Sequence, residues 1–148
     1  MDLRQRLDQD LKDAMRAKDT VRLETVRNVR GAMRAREIDS GMELSDDELL
    51  KLIRGLVKQR DDSITQYEQG GRADLVERER AEKAILESYL PAGPSAADVG
   101  RVVQEVATEL NASGMKDMGR VMKAVLDRLG PTADGKAVSA AVKAKLSA

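Results

Sequence analysis

The 148-residue sequence contains no cysteine, histidine, tryptophan or phenylalanine, and it has only two tyrosines. Without cysteine there are no disulfides or thiolate nucleophiles, and without histidine there is neither a Ser-His triad nor a usual zinc site. The scarcity of aromatic residues argues against stacking on nucleic-acid bases. No Walker loop or amidase-type Ser-Ser-Lys arrangement is present. We therefore expect no catalytic residues, no metal site and no cofactor.

The chain also lacks a net charge and a long apolar run. Its 26 basic residues are balanced by 26 acidic ones, so any contact with a polyanion must come from a local patch. Charged residues make up 35% of the chain and apolar ones 41%, which favours thin helical layers over a disordered chain. No apolar segment reaches the length of a membrane span, and the charged N-terminal residues resemble neither a secretory signal nor a transit peptide. We expect a soluble, cytoplasmic protein.

Helical periodicity and helix-start signals predict an all-α fold with seven helices in two domains. The predicted N-terminal domain, residues 1–91, contains four helices joined as hairpins by short links. We expect them at residues 2–18, from Asp19 to about Glu37, from Ser45 to Gln69 and from Arg72 to Tyr89. Ser45 and Glu48 have the spacing of a capping box.

The segment from Leu90 to Pro94 contains two prolines and a glycine, which end a helix and mark the boundary. The predicted C-terminal domain, residues 92–148, contains three short helices. Their expected N-caps are Ser95, Asp117 and Asp134.

Two charged surfaces of the N-terminal domain have an alternative functional interpretation. Arg27, Arg30 and Arg34 share one helix face and could contact phosphates, but we favour a solvated face balanced by acids of a neighbouring helix.

Around the long hairpin, an enzyme would use Asp61 or Glu79 as a base and Ser63 as a nucleophile. Because the sequence has no histidine or cysteine to activate that serine, we favour ion pairs that hold the hairpin together. The cluster comprises Lys58, Arg60, Asp61, Asp62, Ser63, Arg72, Asp74 and Glu79.

The candidate site lies in the C-terminal domain, where cations surround two helix starts. Free backbone N–H groups at a helix N-terminus, together with cationic side chains, suit a phosphate. Gly119 is unusual there because alanine is more stable in a helix, so either close backbone packing, which we favour, or an approaching ligand would explain it. The predicted RNA-binding residues are Lys116, Gly119, Arg120, Lys123 and Lys136.

A family resemblance adds to this interpretation. Gly119, Met122 and Lys123, then Ala133-Asp134-Gly135, with Val138, Val142 and Leu146 behind them, resemble the tail domain of the GatB/YqeY family. Four other segments resemble the stand-alone YqeY proteins of this family: Ala14–Asp19, Lys58–Ile64, Gly71–Leu75 and Tyr89–Pro91. Thr132 and Ser139 depart from the family pattern, which usually has Arg and Asn there, and both changes weaken an RNA contact at that edge.

In the tRNA-dependent amidotransferase, the tail domain is associated with holding tRNA, so the resemblance implies a non-catalytic, tRNA-binding or amidotransferase-associated accessory protein. The implied partners are tRNA and components of an amidotransferase or an aminoacyl-tRNA synthetase. One alternative is a protein-interaction module that docks an enzyme complex through the charged hairpin. Another, by family association, is a glutamine-dependent carbon-nitrogen ligase.

Overall fold

The computed structural model describes residues Met1–Ala148, and all of its regular secondary structure is helical. This confirms the predicted all-α class. The chain forms two compact units, Met1–Leu90 and Pro91–Ala148. The division into separate domains at residues 91 and 92 stays a prediction. The helices are α1 (Leu3–Ala17), α2 (Thr20–Ser40), α3 (Asp46–Gln69), α4 (Ala73–Glu87), α5 (Ala96–Glu109), a 3-10 turn (Met115–Asp117), α6 (Met118–Leu129) and α7 (Gly135–Leu146).

In the first unit, short polar side chains begin three of the four helices. The carboxylates of Asp2 and Asp19 and the hydroxyl of Ser45 accept hydrogen bonds from backbone N–H groups of the first turns of α1, α2 and α3. The predicted capping box at α3 is only half formed. The Glu48 carboxylate accepts from the Ser45 hydroxyl, at 3.1 Å, rather than from a backbone N–H group.

The second helix is longer than predicted. It continues past Glu37 to Ser40, because the stop is at Gly41, whose left-handed backbone (φ 71°) caps the helix. Gly41 donates its N–H to the Glu37 carbonyl oxygen at 2.9 Å. Asp39 and Ser40, which lie beyond the predicted end, therefore belong to the last turn, and Ile38 lies on the helix as well.

The four helices of this unit bury one apolar cluster. Leu7, Val26, Val29 and Ile53 are fully buried at its centre. The largest interface joins α3 to α4, while α2 packs against all three of the other helices. Burying side chains of this size contributes about 2 kcal/mol each to folding.

The second unit is built around valines from α5, α6 and α7, each of which packs on the other two. At the start of α5 the predicted capping box is fully formed, with Ser95 and Asp98 each accepting the other's backbone N–H. Asp134 caps α7 as predicted, by accepting from the Lys136 N–H at 3.0 Å. None of the seven α-helices combines the length and apolar character needed to cross a membrane.

Candidate nucleic-acid interface

The five predicted RNA-binding residues lie on neighbouring parts of the second unit. Lys116 is in the 3-10 turn, Gly119 and Arg120 are in the first turn of α6, and Lys123 is one turn further along that helix. Lys136 is in the first turn of α7, and α7 packs on both the 3-10 turn and α6. All five are exposed to solvent.

Arg120 is engaged inside the unit. One of its guanidinium nitrogens donates to the carbonyl oxygen of Leu110 and to the carboxylate of Asp117, both at 3.1 Å. These bonds tie the end of α5 to the start of α6. Arg120 therefore has a structural role that sequence reasoning missed, and its charge is already partly neutralised.

Asp117 does not cap α6, so that prediction was wrong. Its carboxylate accepts from the Ser113 N–H at 2.8 Å, and this bond, followed by the charge of Arg120, lowers its pKa. The 3-10 turn causes the difference, because it continues into α6. The N–H groups of Asp117 and Met118 donate to the carbonyl oxygens of Gly114 and Met115 instead.

The backbone part of the predicted phosphate cradle is therefore partly occupied. At α6, two of the N–H groups expected to face a ligand are bonded within the 3-10 turn. At α7, the Asp134 carboxylate already occupies the helix start and takes the Lys136 N–H. Since both helix starts carry a carboxylate, a phosphate there must be held mainly by lysine side chains.

Arginines and lysines behave differently in this unit. All three arginines form ion pairs with acids: Arg101 with Asp98 and Glu105, Arg120 with Asp117, and Arg128 with Glu105 and Glu109. No lysine of the unit forms an ion pair; these are Lys116, Lys123, Lys136, Lys143 and Lys145. Only Asp127 and Asp134 among the acids lack an arginine partner. The uncancelled charge of this unit is thus positive and carried by lysines.

Gly119 is not required by packing. A Cβ atom built on it would meet no other atom within 4 Å, so the close backbone approach that we favoured from the sequence is wrong. The glycine that is needed for a close approach is Gly93, where a Cβ would collide with the carbonyl oxygen of Thr132. Sequence alone gives no signal for that contact, because the two residues are far apart in the chain.

The charged hairpin of α3 and α4 is held by ion pairs, as we favoured from the sequence. Arg60 lies between Glu79 and Glu82, at 3.2 and 3.0 Å. Lys83 binds Asp61 at 2.7 Å, and this contact raises the pKa of the lysine. Both acids proposed as a base, Asp61 and Glu79, are therefore paired with cations.

The comparison with known families agrees with the motifs quoted from the sequence. The family model for YqeY-like proteins matches residues 4–146, nearly the whole chain. The chain belongs to the YqeY family. The match includes the candidate lysines of this YqeY-like chain and the hairpin of its first unit.

Curated relatives of this YqeY-like chain are fungal proteins named "Altered inheritance of mitochondria protein 41, mitochondrial". The protein of Lachancea thermotolerans is 40% identical over 110 residues, which are 72% of this chain and 59% of the relative. That of Kluyveromyces lactis is 41% identical over 110 residues, 72% of this chain and 60% of the relative. That of Clavispora lusitaniae is 32% identical over 123 residues, 81% of this chain and 72% of the relative.

These relatives correct one expectation. Their names place them in mitochondria, which points away from the cytoplasm, so the cytoplasmic location expected from composition was wrong. Composition reports solubility and says little about the compartment. The YqeY-like chain matches about 60% of the length of the first two relatives.

Proposed function

We propose that this YqeY-family protein is a non-catalytic accessory protein that binds tRNA, in association with a tRNA-dependent amidotransferase. Its second unit contacts tRNA phosphates through Lys116, Lys123 and Lys136. The observation that carries the proposal is the charge pattern of this unit, in which the arginines are paired with acids and the exposed lysines are not. Unpaired ammonium groups are free to release counterions from a nucleic-acid backbone.

The form of the surface supports a contact with the backbone rather than with bases. Both tyrosines, Tyr67 and Tyr89, belong to the first unit, so the second unit offers no ring on which a base can stack. Folded RNA is recognised largely through its shape, its phosphates and its 2′-hydroxyls. Lysines, as flexible point charges, suit such a contact.

Arg120 and Gly119 take different roles in this proposal. Arg120 is a positioning residue, since its bonds to Leu110 and Asp117 fix the turn that carries Lys116. Gly119 lies between Lys116 and Lys123, and its bare backbone leaves room for a sugar or phosphate to approach α6.

The test is a titration of the full chain with bulk tRNA at several salt concentrations. The double substitution Lys116→Glu and Lys123→Glu should weaken binding and lower the slope of log affinity against log salt by about 1.5, since each phosphate contact contributes about 0.7–0.9. The matched control is Lys143→Glu with Lys145→Glu, the same charge change in the last turn of α7. We expect the control to keep most of the slope.

Two results would contradict the proposal. The first is a gel mobility-shift titration in which wild-type protein does not slow the migration of tRNA even at low salt; the protein then does not bind tRNA through any surface. The second is an equal loss of tRNA affinity, and an equal decrease in salt slope, in the Lys116/Lys123 variant and in the Lys143/Lys145 control. Binding then follows net charge, and the surface around α6 has no special part in it.

A further inference from the structure

The outer face of α2 carries a row of residues that nothing inside the protein explains. Arg27, Gly31, Arg34 and Ile38 follow one another at spacings of four, three and four residues, so they form one line along the helix. We call these four residues the α2 stripe. All four are exposed, Ile38 with 72% of its surface.

The two arginines of the stripe form no ion pair, because arginines of other helices pair with the acids nearby, and the charge of Arg34 reaches Glu37 only at longer range. Glu24, one turn before Arg27, pairs with Arg78 of α4, and Glu37, one turn after Arg34, pairs with Arg4 of α1. No ion pair or hydrogen bond links either stripe arginine to another residue. We predicted that acids of a neighbouring helix would balance the arginines of this face. Arg30 confirms this, since it binds Asp8 of α1 at 3.2 Å, but the two arginines of the stripe do not.

Gly31 and Ile38 are also unexplained by intramolecular packing. A Cβ on Gly31 would meet no atom within 4 Å, although glycine weakens a helix at an interior position. Ile38 and the neighbouring Met42 are among the most exposed large apolar residues of the chain, at 72% and 73%. The face therefore combines two free guanidinium groups, a bare stretch of backbone and an apolar end.

We propose that the α2 stripe docks an acidic amphipathic helix of a partner protein. The arginines lie two turns apart, about 10 Å along the axis, and their guanidinium forks pair with carboxylates at the same spacing on a facing helix. The gap at Gly31 lets that helix approach closely, and its apolar side chains cover Ile38 and Met42. A nucleic-acid backbone matches the arginines but leaves the apolar end in water, so a protein helix fits the whole face better.

The chain provides a matched control on α3. Lys51, Gly55, Lys58 and Asp62 repeat the spacing of the α2 stripe, and all four are exposed. A Cβ on Gly55 also meets no neighbouring atom within 4 Å. This row ends in a carboxylate instead of an isoleucine and has lysines instead of arginines, so it should not hold an acidic amphipathic helix.

The probe is a fluorescent, alanine-rich helical peptide of about 20 residues with two glutamates two turns apart, alanine between them to face Gly31, and leucines one turn beyond one glutamate to face Ile38. Its binding to the full chain is followed by fluorescence anisotropy. Arg27→Glu with Arg34→Glu should weaken binding by about tenfold or more, because two charge-assisted pairs become repulsive. Gly31→Gln should weaken it as well while raising thermal stability, which separates lost docking from unfolding. Lys51→Glu with Lys58→Glu should leave affinity within about twofold.

Several results would overturn the inference. The inference is overturned if the peptide binds all variants equally or does not bind wild type at all, or if a peptide with lysines in place of its glutamates binds as well as the acidic one. Amide chemical shifts of α2 that respond to an RNA oligonucleotide and not to the peptide would assign the surface to nucleic acid. Self-association that is lost in the Arg27→Glu, Arg34→Glu variant would make a second copy of the chain the occupant.

Discussion

Replacing Gly119 with alanine should stabilise the protein. The residue is in the first turn of α6, and the 3-10 turn before it already holds the backbone in a helical path. An added methyl group meets nothing within 4 Å, so the substitution removes the entropy cost of glycine without a steric cost. The expected gain is about 0.5–1 kcal/mol.

This gain corresponds to a rise in Tm of about 1–4 °C for a chain of 148 residues. Thermal unfolding followed by far-UV circular dichroism measures it. Gly93→Ala is the control of opposite sign, because its methyl group would collide with the Thr132 carbonyl oxygen. That variant should unfold at a lower temperature than wild type.

The reasoning about Gly119 is refuted if Gly119→Ala lowers Tm or leaves it unchanged, since the glycine would then have a structural role that the open space around it denies. The same variant also informs the proposed function. A protein that is more stable but binds tRNA more weakly would indicate that the bare backbone at Gly119 is kept for the ligand. Unchanged tRNA affinity would remove Gly119 from the interface and leave the lysines.

Two further predictions concern ion pairs and pH. Arg60→Met should lower the free energy of unfolding in urea by about 2–3 kcal/mol, because it leaves the Glu79 carboxylate, only 14% exposed, without a partner and leaves Glu82 with Arg78 alone; a loss under about 0.5 kcal/mol would show that the pairs are surface-like. Hydrogen bonds lower the pKa of Glu37 and Asp117 below their ordinary values of 4.5 and 3.8. Their stabilising effect is complete above those values and is lost as pH falls through the lowered pKa. With no histidine in the chain, Tm should stay flat from about pH 6 to 8 and fall below about pH 4.5; a marked slope near neutral pH would contradict this.

Helix starts were the most predictable feature of the fold. Ser95 and Asp98 form their capping box because both partners belong to the same turn, so their spacing in sequence fixes their spacing in space. Asp117 was predicted as an N-cap but does not cap α6, because the 3-10 turn continues into the helix and the carboxylate accepts the Ser113 N–H of the preceding loop instead. Local patterns identify the groups able to cap a helix, and competition within the loop selects the one used.

The candidate site was less predictable. Its lysines could be named from the sequence, because surface position follows from helical periodicity. The bond from Arg120 to the Leu110 carbonyl oxygen could not be predicted, since that acceptor is at the end of the preceding helix. The same holds on α2, where Arg30 finds an acid on α1 while Arg27 and Arg34 find none.

The sequence by itself determined the all-α class and most helix starts, because these depend on periodicity and on interactions within a turn. Its motifs, by resemblance, also indicated the family. Only the tertiary structure decided which charges are neutralised across helices and which glycines are confined. Gly93 is held against Thr132 while Gly119 and Gly31 face open space, and nothing in their local sequence separates them. The physical reason is that pairing and steric contact depend on distances between segments remote in the chain, which exist only after the helices have packed.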